Sequence, residues 1–117
     1  MGITYIEGTA RGPTGKEESL RLLVDSGATY SLLPTPIWET IELEPTREQT
    51  FTLVDGTTME RRISECYLTL PQGEAHTPVI LGEPGDQALL GAVTLEILGL
   101  LFNRFNRTLQ PMRMMLA

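Results

Sequence analysis

Apolar and polar residues form short alternating or clustered runs along most of this chain, a pattern of strands rather than of long helices. Ile3 to Ala10 reads as a first strand, and Arg11-Gly12-Pro13-Thr14-Gly15-Lys16 supplies the glycines and proline of a turn. Ser19 to Val24 forms the next strand. After Pro34, Thr35-Pro36 is placed to cap a short helix over Ile37-Trp38-Glu39-Thr40-Ile41, since a hydroxyl N-cap followed by proline is a favourable start. Trp38 is the natural anchor of that helix on the sheet. Phe51 to Val54 and Thr57 to Ile63 flank Asp55-Gly56, a dipeptide suited to a type I′ turn and the strongest hairpin signal in the chain. Cys66 to Leu70 alternates, ends at Pro71-Gln72-Gly73-Glu74, and is answered by a returning strand from Thr77 to Leu81. Gly82 to Asp86 is a loop. Val93 to Leu98 carries apolar residues at near-helical spacing, with Gly99 as a stop. Leu100-Leu101-Phe102 and Thr108-Leu109-Gln110 are placed to pair across Asn103 to Arg107. No repeat, low-complexity stretch or linker interrupts the pattern, which predicts a single, mostly β domain over residues 1–117.

Composition narrows the function classes. A chain of 117 residues, 41% of them hydrophobic, suits one core of its own. The net charge is −6 with the acids spread out, and no basic cluster exists to neutralise phosphates, so nucleic acid is not an expected partner. Arg61-Arg62 and Arg104/Arg107 read as small solvated spots. Cys66 is the only cysteine, which excludes an internal disulfide and a thiolate metal cluster and leaves the expectation of a small buried hydrophobe. His76 is the only histidine and lacks a partner pattern for a metal or a triad. Neither a metal nor a cofactor is expected. No apolar run is long enough to cross a membrane, and Met1-Gly2-Ile3-Thr4-Tyr5 lacks the features of a signal segment, so the expected location is cytoplasmic, away from membranes. Met112, Met114 and Met115 make an apolar tail with two readings, a frayed terminus or a strand that joins an interface.

The chemistry is concentrated in Leu22-Leu23-Val24-Asp25-Ser26-Gly27-Ala28-Thr29-Tyr30-Ser31-Leu32-Leu33-Pro34. An apolar strand runs into an acid, which places that carboxylate where a strand leaves the core and burial disfavours its charged form. Gly27 lets the backbone turn tightly and another chain approach closely. The stretch resembles the Asp-Thr/Ser-Gly-Ala signature of aspartic proteases. A second match follows at Ala88-Leu89-Leu90-Gly91-Ala92-Val93-Thr94-Leu95, similar to the retropepsin-like element in which two apolar residues and a glycine cross beside the catalytic loop and a short helix follows. Strand, Asp-Ser-Gly-Ala, hairpin, Leu-Leu-Gly, helix and final strands resemble the retropepsin-like family in order, from about Ile3 to Leu109, including its small standalone microbial forms. The resemblance implies an all-β, closed antiparallel acid-protease barrel with one or two short helices, working as a homodimer.

Peptide hydrolysis by this route needs two carboxylates sharing a proton, one as base on water and one as acid on the carbonyl. This chain has one Asp-Ser-Gly; Asp55 lies at a hairpin tip and Asp86 in a Pro/Gly loop. A second Asp25 must therefore come from a second copy across a two-fold axis. By resemblance, Asp25 is the catalytic acid, Ser26 hydrogen-bonds beneath the pair across the dimer, and the Gly27 N–H holds the carboxylate. Ala28 lacks the hydroxyl of pepsin-like enzymes, which moves the expected working range towards neutral pH. The hairpin at about residues 49–63 takes the place of the flap, with Val54, Asp55, Gly56 and Thr57 at its tip, and Leu89, Leu90 and Gly91 wall the catalytic loop. The expected activity is an aspartic endopeptidase acting on peptides or proteins. The alternatives are a retropepsin-like dimerisation or peptide-binding module with weak or no catalysis and, more remotely, a β-barrel binder carrying the signature by accident.

Overall fold

The computed structural model describes residues 3–116. β1 (Tyr5–Arg11) and β2 (Glu17–Val24) form an antiparallel pair around a Gly/Pro turn, in register from Tyr5 opposite Leu23 to Arg11 opposite Glu17. Next come β3 (Ser31–Leu33), the one-and-a-half-turn helix α1 (Thr35–Thr40), β4 (Arg47–Thr52), β5 (Thr58–Leu70) and β6 (Gly73–Leu81). The chain ends with β7 (Leu89–Leu90), α2 (Ala92–Ile97), β8 (Leu100–Asn103) and β9 (Thr108–Pro111). One sheet has the order β1-β2-β7-β3-β6-β5-β4, with a further β1–β5 pairing from Thr9 opposite Thr69 to Arg11 opposite Tyr67. β8 and β9 make a separate two-stranded ribbon.

The pairing is mixed, where an antiparallel arrangement was expected. β2 runs parallel to β7, and β3 runs parallel to β6. Both parallel pairs join strands that are distant in the chain: β6 reaches β3 only after α1, β4 and β5, and the chain then returns through the Gly82–Asp86 loop to slip β7 between β2 and β3. That places Leu89 and Leu90 beside the strand that delivers Asp25.

Three local expectations are also revised. The expected strands Thr57 to Ile63 and Cys66 to Leu70 merge into the single strand Thr58–Leu70, because Ser64 is buried without breaking it, its hydroxyl donating to the Glu44 carbonyl at 2.6 Å. The N-cap of α1 is Pro34 rather than Thr35, whose hydroxyl instead donates to the Gly82 carbonyl at 2.9 Å. The Trp38 indole N–H reaches the same carbonyl at 2.8 Å, so the tryptophan does tie the helix to the sheet's far loop. At the β4–β5 tip only Gly56 takes the left-handed conformation (φ 89°), where a type I′ turn would need Asp55 there too. The tip is a three-residue loop with a glycine bulge, closed by Gly56 N–H to Leu53 O (2.9 Å) and Leu53 N–H to Thr57 O (2.7 Å).

The central strands are buried on both faces. Leu22, Leu33, Val79, Leu81, Leu68, Leu90, Leu95 and Leu100 fill the main core, together with Cys66. Leu32, Ile63 and Ile80 face the other way and form a smaller cluster with Tyr30, Phe51 and Leu89. Alternation along β3 and β6 sends successive side chains to these two clusters. The smaller one floors the groove described below.

Among the described residues beyond Pro111 none forms a strand within this chain; Met112 N–H donates to Gly99 O at 2.7 Å, and Met114, Met115 and Leu116 are exposed.

Candidate active site

Asp25 stands one residue beyond β2, where Val24 is still in the core and Ser26 and Gly27 are already exposed. The strand is fixed at this point by its parallel neighbour: Leu23 N–H donates to Ala88 O and Asp25 N–H to Leu90 O, both at 3.0 Å. The chain then turns back on itself, with Ala28 N–H donating to the Asp25 carbonyl at 3.1 Å. Inside that turn the Gly27 N–H donates to the Asp25 carboxylate, at 3.1 Å from Oδ1. A Cβ on Gly27 would sit 3.3 Å from the same oxygen, so a bare glycine keeps the carboxylate's near side clear. Asp25 itself is half-buried, short of the burial its apolar strand suggested, because the residues after it are exposed.

Beneath the turn lies a polar layer that the sequence reading did not find. Ser31, Thr77 and Thr94 are each at least 98% buried. The Thr94 hydroxyl lies 2.6 Å from Ser31 Oγ and 2.7 Å from Thr77 Oγ1, and Gly91 N–H donates to Ser31 Oγ at 3.0 Å. Ala92 and Val93 at the start of α2 donate their N–H groups to the carbonyls of Ala28 and Thr29 at 2.8 and 2.9 Å. Loop and helix are thus bonded to each other by main chain and by buried hydroxyls, which are costly to leave unpaired. The only sequence signal was three small hydroxyl residues next to apolar ones, and nothing in the sequence joins positions so far apart. Gly91 has a steric reason as well. A Cβ there would lie 2.5 Å from the Tyr30 carbonyl carbon and 2.6 Å from its oxygen.

On one side of the loop opens a groove of about 270 Å³. Gly27 and Ala28 begin its wall, Leu32, Ile80 and Leu89 form its floor, and Phe51, Leu53 and Met59 of the β4–β5 hairpin cover it. Tyr30 meets Phe51 edge to face at 5.9 Å between ring centres, and Arg47 Nη2 donates to the Tyr30 hydroxyl at 3.0 Å. The hairpin is therefore seated over the groove by its arms, while Val54 at the tip is fully exposed. Asp55 is occupied locally, accepting from the Thr57 N–H (3.0 Å) and hydroxyl (2.7 Å), which lowers its pKa.

The structure thus brings Asp25, Ser26, Gly27, Ala28, Leu89, Leu90 and Gly91 into one neighbourhood and sets the Val54–Thr57 tip at the end of the hairpin over the groove. Arg61, read from sequence as solvated, is instead half-buried at the groove, paired with Asp86 at 2.8 Å. Cys66 and His76 lie elsewhere, on opposite faces of the β5–β6 pair, Cys66 in the main core and His76 exposed. Burial alone pushes the Cys66 thiol up to about 12, as suits a small core residue.

No protein-family model and no curated protein sequence matches this chain. Among solved structures, the solution structure of the simian foamy virus (mac) protease matches with a TM-score of 0.58 at 19% sequence identity, over 81% of this chain and 94% of that one. The fold is that of a retroviral protease. Among the described residues, no helix is long and apolar enough to cross a membrane.

Proposed function

We propose that this chain is one subunit of a homodimeric aspartic endopeptidase in which Asp25 and its twin form the catalytic pair. The observation that carries the reading is Asp25 at the open end of a braced turn, with a backbone N–H on its carboxylate and an apolar groove starting two residues away. One carboxylate, ionised, takes a proton from water as the water oxygen attacks the peptide carbonyl carbon. The other, protonated, gives its proton to the carbonyl oxygen. In the resulting tetrahedral diol a proton passes to the amide nitrogen, the C–N bond breaks, and acid and amine leave with the shared proton restored. Ser26 supports the pair from beneath and across the two-fold axis. Val54 to Thr57 act as a flap, and an extended substrate adds to the hairpin through main-chain hydrogen bonds. The compartment that fits this reading is the cytoplasm.

Asp25→Asn keeps the size of the side chain and loses the base, so peptide-library cleavage should fall below detection while the melting curve stays close to the parent's. Sedimentation should show a dimer that strengthens with a statine-type inhibitor. Cleavage by Asp25→Asn at the parental rate would place the chemistry elsewhere, and a strict monomer at high concentration with inhibitor present would remove the shared pair.

A further inference from the structure

Arg61 breaks the pattern of the strand that carries it. Met59, Arg61 and Ile63 share one face of β5, and that face points at the groove. Ile63 is buried with Leu32 and Ile80, Met59 stands at the rim, and Arg61 lies between them. Its neighbour Arg62 is exposed, with its guanidinium 5.6 Å from the Trp38 ring centre. The Arg61 side chain is only 15% exposed, and its one hydrogen bond among the described residues runs from Nη1 to Asp86 Oδ2 at 2.8 Å. A guanidinium has five N–H donors, and no Arg61 nitrogen is both enclosed and unpaired, so the donors not bonded to Asp86 stay open to an acceptor from outside the chain. Asp86 is no loose counter-ion, since its Oδ2 also accepts the Glu83 N–H at 2.8 Å. It holds Arg61 from behind and does not itself line the groove.

The rest of the lining sorts by chemistry. Leu32, Phe51, Met59, Ile80 and Leu89 offer an apolar channel suited to methylenes, and Arg61 is the one charged group in the wall. Because Asp86 already balances the guanidinium, a substrate carboxylate would bring an uncompensated charge into an apolar groove. A neutral acceptor brings none. We infer that Arg61 determines the specificity of this groove, selecting a substrate side chain with an apolar stem and a neutral hydrogen-bond acceptor at its end, glutamine above leucine or glutamate. This rests on the proteolytic reading for its setting, though not for its test.

The experiment varies each position flanking the scissile bond of a cleaved peptide among Leu, Gln, Glu and Lys. At one position the parent should prefer Gln to Leu by about tenfold in kcat/KM, the yield of one well-placed hydrogen bond. Arg61→Met keeps length and removes every donor, so at that position alone Leu should overtake Gln. Asp86→Asn leaves the Arg61 charge unbalanced and should move the preference to Glu. Binding of the same peptides to Asp25→Asn, followed by calorimetry, reads the groove without catalysis. A Gln preference there, lost in the Asp25→Asn, Arg61→Met double variant, supports the inference even if the parent cleaves nothing. A Gln/Leu ratio that Arg61→Met does not change, or equal binding of all four peptides, overturns it while leaving the protease reading intact.

Discussion

The Asp25–Ser31 loop is bonded to the Leu90–Thr94 segment through main chain at Asp25, Ala28 and Thr29 and through buried hydroxyls at Ser31, whereas the β4–β5 tip is closed only by contacts within Leu53–Thr57. Both border the same groove. The loop's partners are far away in sequence, and the Ser31 and Thr94 hydroxyls among them are shielded from water, so losing either leaves a buried polar group unpaired. The tip's bonds are local and exposed, and Val54 gains nothing from its present position. Stability in such a fold is unevenly distributed: the acid is held in a deep cooperative unit and its cover in a shallow one. Under the proposed function, that division lets the reacting group keep its geometry while the hairpin admits an extended chain.

The strongest way to break the contrast is at Gly91. Gly91→Val puts a Cβ 2.5 Å from the Tyr30 carbonyl carbon, and the backbone cannot retreat without losing the bonds at Asp25 and Ala92. A loss of about 3 kcal/mol or more in urea unfolding is expected, with activity gone. An unfolding midpoint equal to the parent's would mean that the crossing is looser than its geometry.

Thr94→Val tests the hydroxyl layer with almost no change of shape. It leaves Ser31 and Thr77 without their shared partner, at a cost of about 1–3 kcal/mol, while Thr94→Ser should stay close to the parent. If valine and serine are equally stable, the layer contributes nothing and the loop rests on its backbone bonds alone.

Gly56→Val addresses the other side of the comparison. Its φ of 89° disfavours a β-branched residue, and the added bulk obstructs closure. The expected stability loss is about 1–2 kcal/mol, local to the tip, with cleavage largely lost. Hydrogen exchange over residues 53–58, with and without a statine-type inhibitor, is the accompanying measurement. Protection that does not rise on binding would show that this hairpin is not a flap.

The smallest effect concerns the Arg61–Asp86 tether between the hairpin arm and the far loop. The hydrogen bond from Arg61, more than any other cause, holds the Asp86 carboxyl below its ordinary value of 3.8. A depressed folded-state value means that the pair adds stability above the unfolded pKa and loses it as pH falls through the lowered one. The stability difference between the parent and Asp86→Asn should therefore hold constant above about pH 5 and shrink below about pH 4. Because both groups keep some exposure, it should stay within about 1 kcal/mol. A difference that grows on acidification would have the wrong sign.

Much of this arrangement was legible from residue order alone, since it depends on neighbours in the chain. Leu22-Leu23-Val24 before Asp25, with glycine two residues later, specifies a strand that ends in a tight turn with a carboxylate on it. The closing elements read correctly for the same reason: near-helical spacing from Val93 to Leu98, a glycine stop, and two short strands around Asn103 to Arg107 are all local signals. At Asp55-Gly56 the hairpin's position was readable but its turn type was not. Asn-Gly and Asp-Gly pairs suit both a type I′ turn and a glycine bulge, and the flanking register decides between them.

What tertiary structure alone decided is which distant residues meet. Ser31, Thr77 and Thr94 are ordinary small polar residues in sequence, and become one buried chain of hydroxyls only when β7 slips between β2 and β3 and carries α2 behind the loop. Arg61 looks like half of a solvated pair until β5 turns it inward and the Gly82–Asp86 loop brings a carboxylate to meet it. That crossing and the long connection from β3 through α1, β4 and β5 to β6 made two strand pairings parallel where sequence favoured antiparallel hairpins. Local sequence determines backbone conformation through sterics and hydrogen bonds a few residues apart, whereas burial and charge pairing depend on which surfaces the folded sheet presses together.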